Sequence, residues 1–154
     1  MFDFHTHNLD APAGKAVINL PREALLSPEC FAWRDGALYS AGIHPWWTDD
    51  AGACRLMLDN LERIAALPQV VAVGECGFDR LRGDVTFQET LFAEHVRISE
   101  HLRKPVTVHC VRAFDMLLAA RKALRPTQVW TVHGFRGRPA LARQLLSAGI
   151  DLSF

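Results

Sequence analysis

No stretch of this sequence approaches the roughly 18 consecutive apolar residues that a membrane-crossing helix requires, so no span is expected. The opening Met1-Phe2-Asp3-Phe4-His5 lacks the basic cluster and apolar run of a secretory leader. Cysteine is sparse. Cys30, Cys54, Cys76 and Cys110 form no C-x-x-C pair and are too few for a disulfide scaffold, so the expected setting is reducing and cytoplasmic. Neither sign of charge dominates, with 17 basic and 17 acidic residues, and this excludes a global field steering the chain to nucleic acid or a membrane surface. Lysine is scarce too, limited to Lys15, Lys104 and Lys122.

What is present suits one globular domain over residues 1–154. Apolar residues make up 49% of the chain and charged residues 22%, a balance that can bury a core and is unlike that of a disordered segment. Charge is unevenly placed: residues 1–100 hold 8 Lys/Arg against 15 Asp/Glu, and residues 101–154 hold 9 against 2. Either the late segment offers an anion-binding surface, or folding interleaves the halves and the difference averages out.

Short apolar runs alternate with stretches of helical period. Strands are expected over Met1–His7, Lys15–Leu20, Leu38–His44, Gln69–Gly74, Pro105–His109, Val129–His133 and from Ile150 to Phe154. Helices are expected over Asp49–Leu67 with Thr48 as N-cap, over Phe87–Leu102, over Ala113–Leu124, and over Pro139–Ala148 with Gly149 just past its end. Phe87, Leu91, Ile98 and Leu102 form one stripe of a helix. Alternation of this kind builds a parallel sheet. Seven strand candidates point to a TIM-type (β/α) barrel, incomplete beside the eight strands and about 250 residues usual for that fold.

Metal-capable side chains recur at the C-terminal ends of separate strand candidates. His5 and His7 end the first, Glu75 follows the fourth, and His109 and His133 end the fifth and sixth. In a parallel barrel those ends share one rim, where active sites of the fold are assembled. His5 and His7, two apart on a strand, face the same side. Glu75 carries two oxygens and can bridge two cations, which in two-metal sites lie about 3.5–4 Å apart. Taken singly, each residue has a plainer reading: solvent-facing strand ends, a turn glutamate, hydrogen-bonded structural histidines. Taken together they predict a site for one or two divalent ions, with zinc or manganese first and magnesium, nickel or cobalt as alternatives.

Around this rim, His44 either contacts substrate or is a turn residue held by Trp46 and Trp47. Arg112 either pairs with an anionic oxygen or is solvated on a helix surface. Arg136 and Arg138, beside His133, are candidates for holding a phosphate. Cys76 and Cys110 adjoin proposed ligands but are expected to behave as small buried hydrophobes.

The segments DFHTH, GIHPW, VGECGFD, VTVHC and TVHGF, the last followed by a proline-containing helix, resemble the TatD family of metal-dependent hydrolases and deoxyribonucleases, in order and along essentially the whole chain. The resemblance implies a TIM barrel, divalent metal and hydrolysis of phosphodiester or related bonds. It further implies that His5, His7 and Glu75 hold one metal, and that Glu75, the catalytic carboxylate, bridges to a second metal held by His109 and His133. His44, Arg112 and Arg136 would then face a phosphodiester or nucleic-acid substrate.

Two departures from the family pattern stand out. The stretch after His109 reads Cys110-Val111-Arg112-Ala113 where the family has a polar-Arg-acid segment. The family's late aspartate, after the last barrel strand, has no counterpart, since Asp151 precedes a different strand. The expectations that follow are a weaker first metal site, and barrel edges left open to self-association or another covering partner. Two other readings compete with the nuclease: an amidohydrolase acting on C–N or ester bonds, and a catalytically impaired binding or scaffold protein. The first often bridges its metals with a carbamylated lysine, and none of the three lysines ends a strand.

Overall fold

The computed structural model describes residues 1–154 throughout. Seven strands pair in parallel in chain order: β1 (Asp3–Thr6), β2 (Ala16–Asn19), β3 (Leu38–Ala41), β4 (Val70–Asp79), β5 (Val106–Val111), β6 (Trp130–Val132) and β7 (Ile150–Leu152). Between them lie α1 (Arg22–Leu26), α2 (Ala51–Ala65), α3 (Val85–Leu102), α4 (Phe114–Leu124) and α5 (Pro139–Ser147), with 3-10 turns at Pro28–Cys30 and Pro45–Trp47. Because each strand neighbours the next in sequence, the sheet curls into a half-barrel with β1 and β7 as its edges. The curl is pronounced: the His133 ring, just past β6, lies 4.2 Å from the His5 ring of β1. No helix is long and apolar enough to cross a membrane.

The core between sheet and helices falls into two clusters along the sheet. Ile18, Leu20, Tyr39, Ala41, Val70 and Val73 join Met57, Leu61 and Ile64 of α2 and Ile98 of α3 in one apolar cluster. Phe78, Val106, Val108, Trp130 and Ile150 join Phe92 of α3, Leu117 of α4 and Leu145 of α5 in a second. Each fully buried side chain of this size stabilises the fold by about 1.5–3 kcal/mol relative to exposure. The intervening Asn19, Ser40, Glu75 and Thr107 are buried as well, so the opposite face of the sheet is a polar interior.

Every expected strand is present, but three local readings change. β4 does not stop at Gly74; it continues through Glu75 to Asp79, so Glu75 lies inside a strand. Gly74 and Gly77, which read as turn signals, have φ of 130° and 141°, and a Cβ on either would strike a backbone oxygen of β5, that of Thr107 or His109. They let two strands approach closely. The N-cap of α2 is Asp50, which accepts the Ala53 amide at 3.0 Å, whereas Thr48 is buried and its hydroxyl donates to the Pro45 carbonyl at 2.7 Å. The five-residue α1 is too short to show a helical period and was not expected.

Candidate metal centre

β1 carries His5, and His7 lies just beyond its end; both meet Glu75 from the middle of β4. His5 Nε2 is 3.1 Å and His7 Nε2 3.3 Å from Glu75 Oε2, and the two nitrogens are 3.3 Å apart. Glu75 is 2% exposed, and no hydrogen bond of acceptable geometry reaches Oε2 despite these neighbours. A triangle with such edges has its centre roughly 1.9 Å from each corner, which matches the about 2.0–2.2 Å at which imidazole nitrogen and carboxylate oxygen bind zinc-like ions. Two imidazole nitrogens converging with a buried carboxylate oxygen therefore fit a divalent cation.

The second oxygen of Glu75 faces another set. His109 Nδ1, on β5, is 2.9 Å from Oε1, and His44 Nε2 is 3.7 Å from it. The ligand atoms of His44, Glu75 and His109 lie within 4.8 Å of one another, as do those of His5, His7 and Glu75. One carboxylate thus belongs to two donor groups. His133 falls differently from the grouping expected for it: its ring packs against His5, and the ring beside His109 is that of His44, at 4.6 Å between centroids.

His133 nonetheless lines the same cavity, of about 1080 Å³, with His7, Glu75, His109 and Arg136. His44, Trp46 and Trp47 form another part of its wall. Arg112 is not among the lining residues. Its backbone is left-handed, with φ of 51°, and its carbonyl accepts from Arg80 at 2.9 Å. Arg138 is the N-cap residue of α5, and it too is absent from the lining.

Four further side chains hold these donors in place. Asn19 Oδ1 accepts the Glu75 amide at 2.8 Å and the Ser40 hydroxyl at 3.2 Å. Asp79 Oδ2, at the end of β4, lies 3.0 Å from His109 Nε2 and accepts the Trp46 indole N–H at 2.7 Å. A carboxylate behind a histidine in this way fixes ring orientation and leaves the other nitrogen free to ligate. His95 of α3 accepts the Ile43 amide at 2.8 Å, next to His44. Gln88, also of α3, accepts the Asp79 amide at 2.8 Å and donates to the carbonyls of Arg82, Pro45 and Asp79 at 2.8, 3.2 and 3.2 Å. None of the four stood out in the sequence, although Gln88 and His95 lie in phase with the apolar stripe of α3, where a polar residue is itself a signal.

The charges favour a cation. Burial alone would raise the Glu75 carboxyl, but the four imidazoles gathered round it, those of His109, His44, His5 and His7, outweigh burial and hold the group far below the usual carboxylate range. Glu75 in turn raises His7. Burial opposes protonation of His109, yet Glu75 and Asp79 together raise it. His44 and His133 are lowered, chiefly by burial, which keeps their lone pairs available; for His44 the burial outweighs the pull of Glu75. Cys110 also lines the cavity, but burial pushes its thiol up to about 12, so it is no nucleophile near neutral pH.

A curled parallel β/α sheet with imidazoles and a shared carboxylate toward its C-terminal strand ends is the architecture of the TIM-barrel metal-dependent hydrolases. The chain belongs to the TatD related DNase family, whose description it matches over residues 29–154. It is 35% identical over 124 residues to the 3'-5' ssDNA/RNA exonuclease TatD of Cronobacter turicensis, covering 76% of this chain and 45% of that protein. It is 34% identical over 124 residues to the uncharacterized metal-dependent hydrolase YcfH of Escherichia coli K12, covering 79% of this chain and 45% of that protein. The chain thus spans about half the length of these curated relatives. Among solved structures, the TatD homolog YjjV of Escherichia coli K12 superposes with a TM-score of 0.72 at 22% identity, covering 98% of this chain and 66% of the other. A TatD family hydrolase from Entamoeba histolytica does so with a TM-score of 0.67 at 21% identity, covering 89% and 50%.

Proposed function

We propose that this chain hydrolyses phosphodiester bonds of single-stranded nucleic acid, with divalent metal held by His5, His7, Glu75, His109 and His133. The observation that carries the reading is the shared carboxylate: Glu75 turns one oxygen to the His5–His7 pair and the other to His109 and His44. The names of the exonuclease and hydrolase relatives supply the reaction class.

Divalent metal bound there supplies Lewis acidity toward a phosphoryl oxygen and brings the acidity of water toward neutral pH. Glu75 keeps its negative charge across the working pH range and orients both donor groups. Asp79 holds the His109 ring so that one nitrogen faces Glu75. His44 and Arg136, on the cavity wall, orient the anionic substrate, and Arg112 would reach only a strand that extends past the mouth. Zinc or manganese suits mixed imidazole and carboxylate donors, with magnesium, nickel and cobalt as alternatives.

The four free thiols accord with a reducing, cytoplasmic setting. The open edges at β1 and β7 favour self-association that covers them. An amidohydrolase bridged by a carbamylated lysine is disfavoured, because Lys104 instead donates to the carbonyls of Ala65, Leu67 and Val70, the last at the start of β4 and away from Glu75.

The test joins two measurements: elemental analysis of the untreated protein, and release of nucleotides from end-labelled single-stranded DNA and RNA. Bound divalent metal with turnover, both lost in Glu75→Ala, is the expected result. A Glu75→Ala variant that keeps metal and turnover, or a parent protein that cleaves neither strand, would overturn the proposal.

A further inference from the structure

We infer that Trp46 is a nucleobase-stacking platform at the mouth of the site, with Arg82 beside it to take the flanking phosphate. The inference rests on the nucleic-acid reading above and adds how a single strand is gripped. Trp46 is 40% exposed, an unusual state for so large an apolar group, and it lies on the cavity wall. It is also held rigidly. Its indole N–H donates to Asp79 at 2.7 Å, its amide donates to His44 Nδ1 at 3.1 Å, and the turn that carries it begins with Pro45.

One face of the indole already bears a flat cation. The Arg82 guanidinium carbon stands 4.2 Å from the ring centroid, in cation–π geometry. Arg82 is exposed and belongs to the loop between β4 and α3, so it can yield that position. A planar base has the shape to replace it, and the displaced guanidinium then meets the phosphate next to that base. The indole centroid lies 4.9 Å from the His44 ring and 6.0 Å from the His109 ring. A base stacked there brings its own phosphate to the donor cluster. Stacking is indifferent to base identity, because every base has a π face, so this grip suits a single strand read without sequence preference.

Trp46 thereby does two separable things: it offers a ring face, and it donates a hydrogen bond to Asp79. Equilibrium binding separates them. The probes are fluorescein-labelled phosphorothioate hexathymidylate, which resists cleavage, and an abasic phosphorothioate polymer of the same length, both followed by anisotropy with the protein as isolated. Trp46→Leu, which keeps apolar bulk without a ring, is expected to weaken hexathymidylate binding about ten- to a hundredfold. Trp46→Phe, which restores a ring without the N–H, should stay within about threefold of the parent, and neither change should affect the abasic polymer. Arg82→Ala should weaken both polymers alike and reduce the slope of log affinity against log salt by about 0.7.

Trp46→Leu binding hexathymidylate as the parent does, or losing equally on both polymers, would overturn the platform. So would a parent protein that binds neither. A separate assay on unmodified hexathymidylate with added manganese keeps the two readings apart: the binding pattern without cleavage would sink the hydrolase reading and leave the stacking site standing.

Discussion

Asn19 accepts the backbone N–H of Glu75 at 2.8 Å, reaching from β2 across β3 to β4. On the way its side-chain oxygen also takes the Ser40 hydroxyl at 3.2 Å. Three adjacent strands are thus tied by one buried amide, directly behind the carboxylate that joins both donor groups.

Replacing Asn19 with Leu leaves the Glu75 amide buried without a partner, which costs about 1–3 kcal/mol. Urea unfolding should show a lowered midpoint at unchanged slope, and metal affinity should fall about 10–100-fold, as it does when outer partners of ligands are lost. An unchanged midpoint and unchanged affinity would show that Asn19 does not fix Glu75.

His95 gives the fold a pH dependence. The ring is fully buried, with one nitrogen accepting from Ile43 and the other donating to the Leu91 carbonyl at 2.6 Å, so only the neutral form fits. Burial lowers its pKa from 6.5 to about 4. Between those values the unfolded chain takes up a proton that the folded chain refuses. Stability is therefore complete above about pH 6.5 and declines by about 3 kcal/mol as the pH falls to about 4. Unfolding in urea at a series of pH values should show this decline, and His95→Gln, which cannot titrate there, should remove that share of it. A variant with the same pH profile as the parent would exclude His95 as the source.

Gln88→Leu strips four hydrogen bonds from the junction of β4 with the Pro45 turn. Each buried group left unpaired costs about 1–3 kcal/mol, partly relieved where water enters. A loss of about 3 kcal/mol in urea unfolding is expected, with a fall in kcat larger than any change in KM, because the Asp79 support of His109 loosens. Parent-like kcat in a stable variant would count against this support.

Ion removal should be visible in melting. A ligand present at a hundred times its Kd stabilises by about 2.7 kcal/mol. For a domain of this size that corresponds to a Tm drop of about 5–10 °C on chelation. Glu75→Ala, which removes the carboxylate common to both donor groups, should melt alike with and without chelator. A parent protein whose Tm ignores chelator would argue that no ion is held in the folded state.

Much of this architecture is legible in the amino-acid sequence. Short apolar runs mark the strands, and histidines closing three of them mark the rim, because a buried parallel strand is a local apolar run and the barrel plan puts strand ends together. Glu75 reads as a carboxylate able to bridge two cations, but its place inside β4 is hidden, since its flanking glycines read as a turn until β5 is seen pressing against them. Thr48 looked like a helix cap for the same reason that Asp50 is one: both are short polar residues before an apolar period, and only the Pro45 turn decides between them. Asn19, Asp79, Gln88 and His95 act through partners 9 to 56 residues away, which no local pattern encodes. The closeness of His44 to His109 likewise depends on how the Pro45 turn folds inward.

The nearness of His5 and His133 has a mechanical meaning. Their strands share no hydrogen-bonded ladder, so the two rings face each other across a seam that only the sheet's curvature keeps shut. Any guest held by both rings acts as a clasp on that seam. Its grip would be felt as stiffness along the whole curl, from the first strand round to the sixth.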